Sequence, residues 1–238
     1  MTKNIKIAVG LIYILCLSLI LYGFFIFIDV TQLNDYIYIR DKTQFLIEIR
    51  DQNLLLFTTL FFLFSILWIL LLGFASPISL IAGFLFGKFF GTLISVFGFT
   101  IGCTFLYILA NQYFKELIFK KLSGKISKFK DMFNKNEFFY FMIFRFTGGG
   151  GIPFAIQNLL PVLFNMKVKN YFFSTLIGLF PMVFILSAIG EGIEKIIENN
   201  VDPSFYIMIQ NKEILFPILG FFTILIISFL LRKIYFKK

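Results

Sequence analysis

Apolar and polar positions fall into long alternating blocks along this chain. Behind Lys3 and Lys6, the run from about Ile7 to Ile28 is apolar and would rise ~33 Å as a helix, enough to span a bilayer. It is too long for a signal-peptide core and lacks a small-x-small cleavage site, so an uncleaved anchor is expected. Residues 29–53 are polar. Leu54 to Phe86 is apolar again but broken at Gly73-Phe74-Ala75-Ser76-Pro77, and it closes with Gly83 and Gly87. The piece after Pro77 is too short to cross a bilayer as a helix. This pattern predicts a re-entrant hairpin with its tip at Pro77.

Phe89 to Ala110 reads as a plain spanning helix, and residues 111–137 as a basic, amphipathic connector. A second broken segment, Phe138 to Met166, carries Arg145, the glycine run Gly148 to Gly151, then Pro153, Gln157, Asn158 and Pro161. Tyr171 to Ile189 spans again with Pro181 inside it. A polar stretch follows, and a last apolar run from Ile214 to Leu231 ends in a basic tail. The division expected is an anchor and external segment over 1–53, a core over 54–195, and a connector with a final helix over 196–238.

Composition fixes the solvent. Of 238 residues 59% are hydrophobic, 37 are phenylalanine, and the mean hydropathy is +0.89. A soluble domain of this size keeps a larger polar surface, so the apolar side chains face lipid. There is no histidine, which removes the commonest general base and metal ligand. Cys16 and Cys103 lie inside apolar runs and follow no metal or redox spacing. No cofactor is expected, and neither is an enzyme.

The net charge of +9 is distributed by side of the membrane. If 54–87 and 138–166 each enter and leave on one side, only 7–28, 89–110, 171–189 and 214–231 cross. Both termini, the 111–137 connector, Lys167 and Lys169 then share a face with fifteen bases and three acids. The other face holds six bases and ten acids, and Arg145 stays in the membrane. The positive-inside rule selects this arrangement, with both termini cytoplasmic, and needs no nucleic acid partner. The expected fold is an all-α polytopic membrane protein: four crossing helices plus two opposed re-entrant hairpins in an inverted-topology repeat. Gly91-Thr92-Leu93-Ile94 and Ser174-Thr175-Leu176-Ile177-Gly178 echo each other in the two halves. Broken helices in inverted repeats are a transporter architecture, and irregular backbone at membrane depth implies a cavity.

In that topology every carboxylate lies outside the hydrocarbon, and Arg145 is the ionisable residue within it. An embedded arginine costs roughly 2.5–3.5 kcal/mol on insertion scales and generally has a partner or a function. Snorkelling to the inner headgroups is the plainer account. Thr147, Gly148, Gly149, Gly150, Gly151, Gln157 and Asn158 gather beside it; a guanidinium with unshielded glycine amides suits a phosphate. Equally, the glycines serve to make a tight turn. Pro77, Gly83, Gly87, Pro153, Pro161, Gly178 and Pro181 are read as shaping the broken segments.

Phe144-Arg145-Phe146 followed by Ile152-Pro153-Phe154-Ala155-Ile156-Gln157-Asn158 resembles the core motif of the DedA/VTT (SNARE-associated Golgi protein) superfamily, in its bacterial Tvp-type branch. Pro77, Ala82-Gly83, Phe86-Gly87, Gly91-Thr92, Gly178, Pro181 and Gly190 extend the likeness over roughly 50–195. The resemblance implies two opposed hairpins and lipid movement between leaflets, with phospholipid or polyprenyl phosphate as cargo. Arg145 matches the family's hairpin arginine, and Pro153 and Asn158 its following motif positions. Relatives often carry prolines where Thr147 and the glycines stand here. DedA proper also carries embedded acids in and near the first hairpin, whereas none occurs here between Leu54 and Ala110. Downhill movement is therefore expected over proton coupling. A lipid flippase or scramblase in the cell (cytoplasmic) membrane is the leading expectation, its partners being membrane lipids. A small-solute or ion transporter and a non-transporting scaffold or assembly factor are the alternatives, and a homo-oligomer stays open.

Overall fold

The structure is a computed structural model that describes residues 35–122, 136–199 and 210–235, with Phe133 and scattered positions between 11 and 32. Among these the regular elements are helices, and no strand occurs. Most of the expected anchor, much of the basic connector and the last three residues lie outside the described residues. Two compact units divide the chain, Met1–Leu54 and Leu55–Lys238.

In the first unit, helix α1 (Tyr36–Gln52) starts where the Asp35 side chain accepts the Ile37 N–H, which satisfies a donor the first turn leaves free. Just ahead of it the Asp29 carboxylate accepts the Thr31 hydroxyl, the Thr31 N–H and the Gln32 amide. The Thr31 hydroxyl leads in holding the Asp29 carboxyl below the usual carboxylate range.

The second unit is built on two long helices. Helix α2 (Leu54–Leu70) leads into a turn with Leu72 in the left-handed region, φ 59°. In that turn the Trp68 indole N–H donates to the Phe74 carbonyl at 2.8 Å. Helix α3 (Ala75–Leu109) contains one break, Gly87 at φ 75° and ψ 167°, a combination essentially restricted to glycine. The rings of Phe57 and Phe61 lie 5.9 and 5.2 Å from that of Phe86. With the 71–74 turn at the far end, α2 and residues 75–86 therefore form an antiparallel hairpin. The tip lies at 71–74, ahead of the expected Pro77. Pro77 sits in the first turn of α3, where its missing N–H has no intrahelical partner to lose.

After a π turn at Ala110–Phe114, α4 (Lys115–Leu122) carries the amphipathic start of the connector. The second broken segment contains α5 (Glu137–Phe146), a 3-10 turn over Gly148–Gly151, α6 (Phe154–Leu159) and a 3-10 turn over Leu160–Phe164. Helices α7 (Val168–Glu198) and α8 (Lys212–Tyr235) follow. By length and composition, Ala75–Ile118 and Val168–Glu198 are long and apolar enough to cross a membrane.

The most extensive interface joins α3 to α7. Small residues bring the backbones together: a Cβ on Gly83 would fall on the Ser187 carbonyl oxygen, and one on Gly190 on that of Leu80. Each broken segment rests on the long helix of the other half. Residues 79–83 lie on α7, and Cys103 and Tyr107 of α3 bond to Asn158 and Met166 of the second segment. Buried Phe99, Phe141, Val162 and Tyr171 pack the core between them.

Candidate functional site: a buried guanidinium in the second hairpin

Helix α5 begins where Asn136 accepts the Phe139 N–H. It is ten residues long, so Arg145 arrives one residue before its end. A Cβ on Gly178 of α7 would sit 2.6 Å from the Arg145 Cβ and 2.8 Å from the Met142 carbonyl oxygen. That missing methyl lets α5 lie on α7 and puts Arg145 inside the protein at 1% exposure. Snorkelling is thereby set aside: the head stays among protein groups.

The guanidinium spans three elements. One Nη donates to the Asn158 side-chain oxygen on α6 and to the Tyr171 hydroxyl on α7, the latter at 3.1 Å. The other reaches the Gln157 oxygen at 3.5 Å. Its carbon lies 4.9 Å from the ring centre of Phe141 and 5.2 Å from that of Phe154, geometry that attracts a cation to an aromatic face. Cys103 donates to the same Asn158 oxygen at 3.3 Å, and the ring of Tyr107 stacks on Tyr171 at 4.6 Å.

All these acceptors are neutral. Among the described ion pairs Arg145 takes part in none. The Arg145 Nε and the Asn158 amide nitrogen, both buried, have no hydrogen-bond partner. With no counter-charge among the described residues, this desolvated cation with spare donors lacks what stabilises buried charge most, an anion within bonding distance.

The glycine loop joins this centre through Gln157, whose amide donates to the carbonyls of Gly148 at 3.1 Å and Ile152 at 2.7 Å. Gly148, Gly149 and Gly151 hold φ of 65°, 72° and 84°, so the run does make the tight turn that sequence allowed. Of the expected site residues, Arg145, Gln157 and Asn158 come together. Thr147 turns its hydroxyl back onto the Phe144 carbonyl. Pro153 precedes α6, and Pro161 opens the 3-10 turn after it. Tyr171, Tyr107 and Cys103 belong to the centre as well, and sequence reasoning passed over them. Cys103 reads as a small hydrophobe, and a tyrosine opening a helix carries no pattern to single it out.

Beside the centre lies an apolar groove of about 690 Å³. Leu93 and Phe97 of α3, Met142 and Phe146 of α5, and Ile177 and Phe180 of α7 line it. Met142 and Phe146 flank Arg145 on its own helix, so the groove and the guanidinium occupy two faces of one short element.

A profile of the VTT domain matches residues 74–192, the stretch from the head of α3 into the last two turns of α7. The chain belongs to the VTT-domain family. It is thus a membrane protein of the DedA/VTT superfamily, and the motif around Arg145 lies inside the matched region. It is 30% identical over 139 residues to the uncharacterized protein YqeD of Bacillus subtilis (strain 168), covering 54% of this chain and 66% of that one. It is 28% identical over 148 residues to the transmembrane protein 41 homolog of Dictyostelium discoideum, covering 59% of this chain and 42% of the relative. The matched stretch spans less than two thirds of either relative. No solved structure matches.

Proposed function

We propose that this VTT-domain protein moves lipids between the leaflets of the cell membrane, as a flippase or scramblase for phospholipid or polyprenyl phosphate. The observation that carries the reading is Arg145: a 1% exposed guanidinium with no carboxylate partner among the described residues, set against an apolar groove. A lipid phosphate supplies the missing counter-charge, and lipid tails fit a groove without polar lining. A phosphate that reaches the centre bonds the guanidinium in place of Asn158 and Tyr171, beside Thr147 and the Gln157-tethered Gly148–Gly151 loop. A phosphate taking both a guanidinium edge and free donors gains charge-assisted hydrogen bonds of about 1.5–3 kcal/mol each. Nothing in this scheme breaks a covalent bond, so no catalytic role is assigned, and with no embedded acid the movement runs downhill.

A second reading has its own support. The same hydrogen bonds tie α5, α6 and α7 together, as a purely structural scaffold would require. Arg145→Met separates the two when folded protein is matched, because it keeps the apolar stem and removes the charge. In proteoliposomes with fluorescent phospholipid or polyprenyl phosphate and no proton gradient, wild type moves lipid. Arg145→Met, at matched folded protein, slows it at least about tenfold, the loss of one charge-assisted contact. Unchanged movement in a folded Arg145→Met chain removes the phosphate role. Absence of movement by wild type, with and without a gradient, removes the lipid reading and leaves the scaffold.

A further inference from the structure

The Arg145 centre carries a single charge and more donors than it uses. One Nη is taken by Asn158 and Tyr171, whereas Nε, on the same edge of the planar fork, has no partner. Such an edge takes two oxygens side by side. The Asn158 oxygen accepts from both Arg145 and Cys103, which leaves its own amide nitrogen buried without a partner. That amide can add a bond to an incoming anion, and no charge.

Arg145 is the one fully buried charge among the described residues. The ionisable groups around it are Tyr171, Tyr107 stacked on that ring, and Cys103 across Asn158; hydroxyl and thiol are neutral at pH 7. Glu137, the acid on α5, lies eight residues before Arg145, ~12 Å along the axis. Lys115 and Lys120 of α4 and Lys167 and Lys169 of α7 are exposed, so water and salt screen them. Further along α7 the charges start at Glu191, ~20 Å past the Gly178 that lies against Arg145, and Lys88 of α3 pairs with that same Glu191. One positive charge thus waits in the interior. A phosphodiester brings two free oxygens and one negative charge. A phosphomonoester brings three oxygens and about −1.5 to −2 at pH 7, its second pKa lying at about 6. The surplus charge would stay unpaired in low dielectric, which is costly.

The apolar surface beside the centre is double. A second, mostly apolar groove of about 390 Å³ is lined by Thr59 and Phe62 of α2 and by Ile94 and Ile101 of α3. Leu93 and Phe97 line this groove and the larger one alike. The two grooves therefore flank one half-exposed ridge, with room for one lipid chain on each side.

We propose that the lipid moved is a two-chained phosphodiester bearing one negative charge, one chain in each groove, and that a phosphomonoester enters only after taking up a proton from solution. This rests on the lipid-moving reading and chooses between its two lipid classes.

The test uses the full chain in phosphatidylcholine vesicles at equal pH on both sides, with the rate in protein-free vesicles subtracted. Four fluorescent tracers divide the question: phosphatidylglycerol and its one-chained lyso form as diesters, phosphatidic acid and a polyprenyl phosphate as monoesters. Phosphatidylglycerol is expected to move fastest near pH 7.5 and to change little near pH 5.5. Phosphatidic acid quickens about twentyfold over that interval, the gain in its singly charged form for a second pKa of about 6. Thr59→Trp, at an exposed position of the smaller groove, lowers phosphatidylglycerol to the rate of its lyso form. A monoester that matches phosphatidylglycerol near pH 7.5, or a lyso form that matches it in wild type, overturns the proposal. Lipid movement without these preferences leaves the lipid-moving reading in place and removes this one. Movement of none of the four removes both.

Discussion

The first hairpin, residues 55–86, and the second, residues 137–164, have the same outline and opposite interiors. The first meets α7 through Ser79, Gly83, Ser187 and Gly190, with Ile69 and Ile78 buried in the shared core. The second closes around a cation bonded to two other elements and enclosed by aromatic rings. Small-residue seams hold through van der Waals contact, which falls off with separation yet has little preference for register. A buried guanidinium is the reverse: in low dielectric each of its bonds is strong and directional, and each unmade one is costly. One sequence thus supplies a seam of small residues in close contact and a centre of directed polar bonds.

The sharpest way to break this contrast is Asn158→Leu. It removes the acceptor shared by Arg145 and Cys103 and leaves a charged donor stranded. Loss of about 1.5–3 kcal/mol is expected, read as a lower melting temperature in detergent. A change near zero means that the guanidinium is not what seats the second hairpin.

Gly83→Leu comes next and bears on the first hairpin. Its side chain would enter space held by the Ser187 backbone, so the seam opens at a cost of about 1–3 kcal/mol. A water-soluble maleimide should then label a Ser187→Cys thiol faster, while a Val162→Cys thiol, equally buried but in the second segment, stays protected. Protection of both would mean that the seam relaxes without parting.

The mildest change is Tyr107→Phe, which keeps the stack on Tyr171 and removes the bond to the Met166 carbonyl. About 1 kcal/mol is expected from thermal unfolding, with lipid movement unaltered because the Tyr107 hydroxyl bonds the Met166 carbonyl and not the guanidinium. A large fall in movement instead would bring Tyr107 into the phosphate site.

Much of the frame was legible from hydrophobic blocks. The breaks near 73–77 and 148–153 and the long helices through 89–110 and 171–189 follow from run length and from glycine and proline, which act locally. The 71–74 turn was misplaced by a few residues for a local reason too: proline is acceptable in the first turn of a helix, so Pro77 marks a helix start as readily as a turn. The motif also put Arg145, Gln157 and Asn158 on one short segment.

By itself, then, the sequence determined that the chain belongs in lipid, where its apolar segments break, and that one guanidinium lies among them. These are properties of composition and near neighbours, which periodicity and local backbone preference express directly. Only tertiary structure decided that this guanidinium is enclosed by Tyr171 and two phenylalanines, that Cys103 shares its acceptor, and that Glu191 closes on Lys88 across 103 residues of chain. Those pairings depend on which helix faces lie together once small residues let α3, α5 and α7 approach. The closeness belongs to the packed helices and has no trace in the spacing of the residues along the chain.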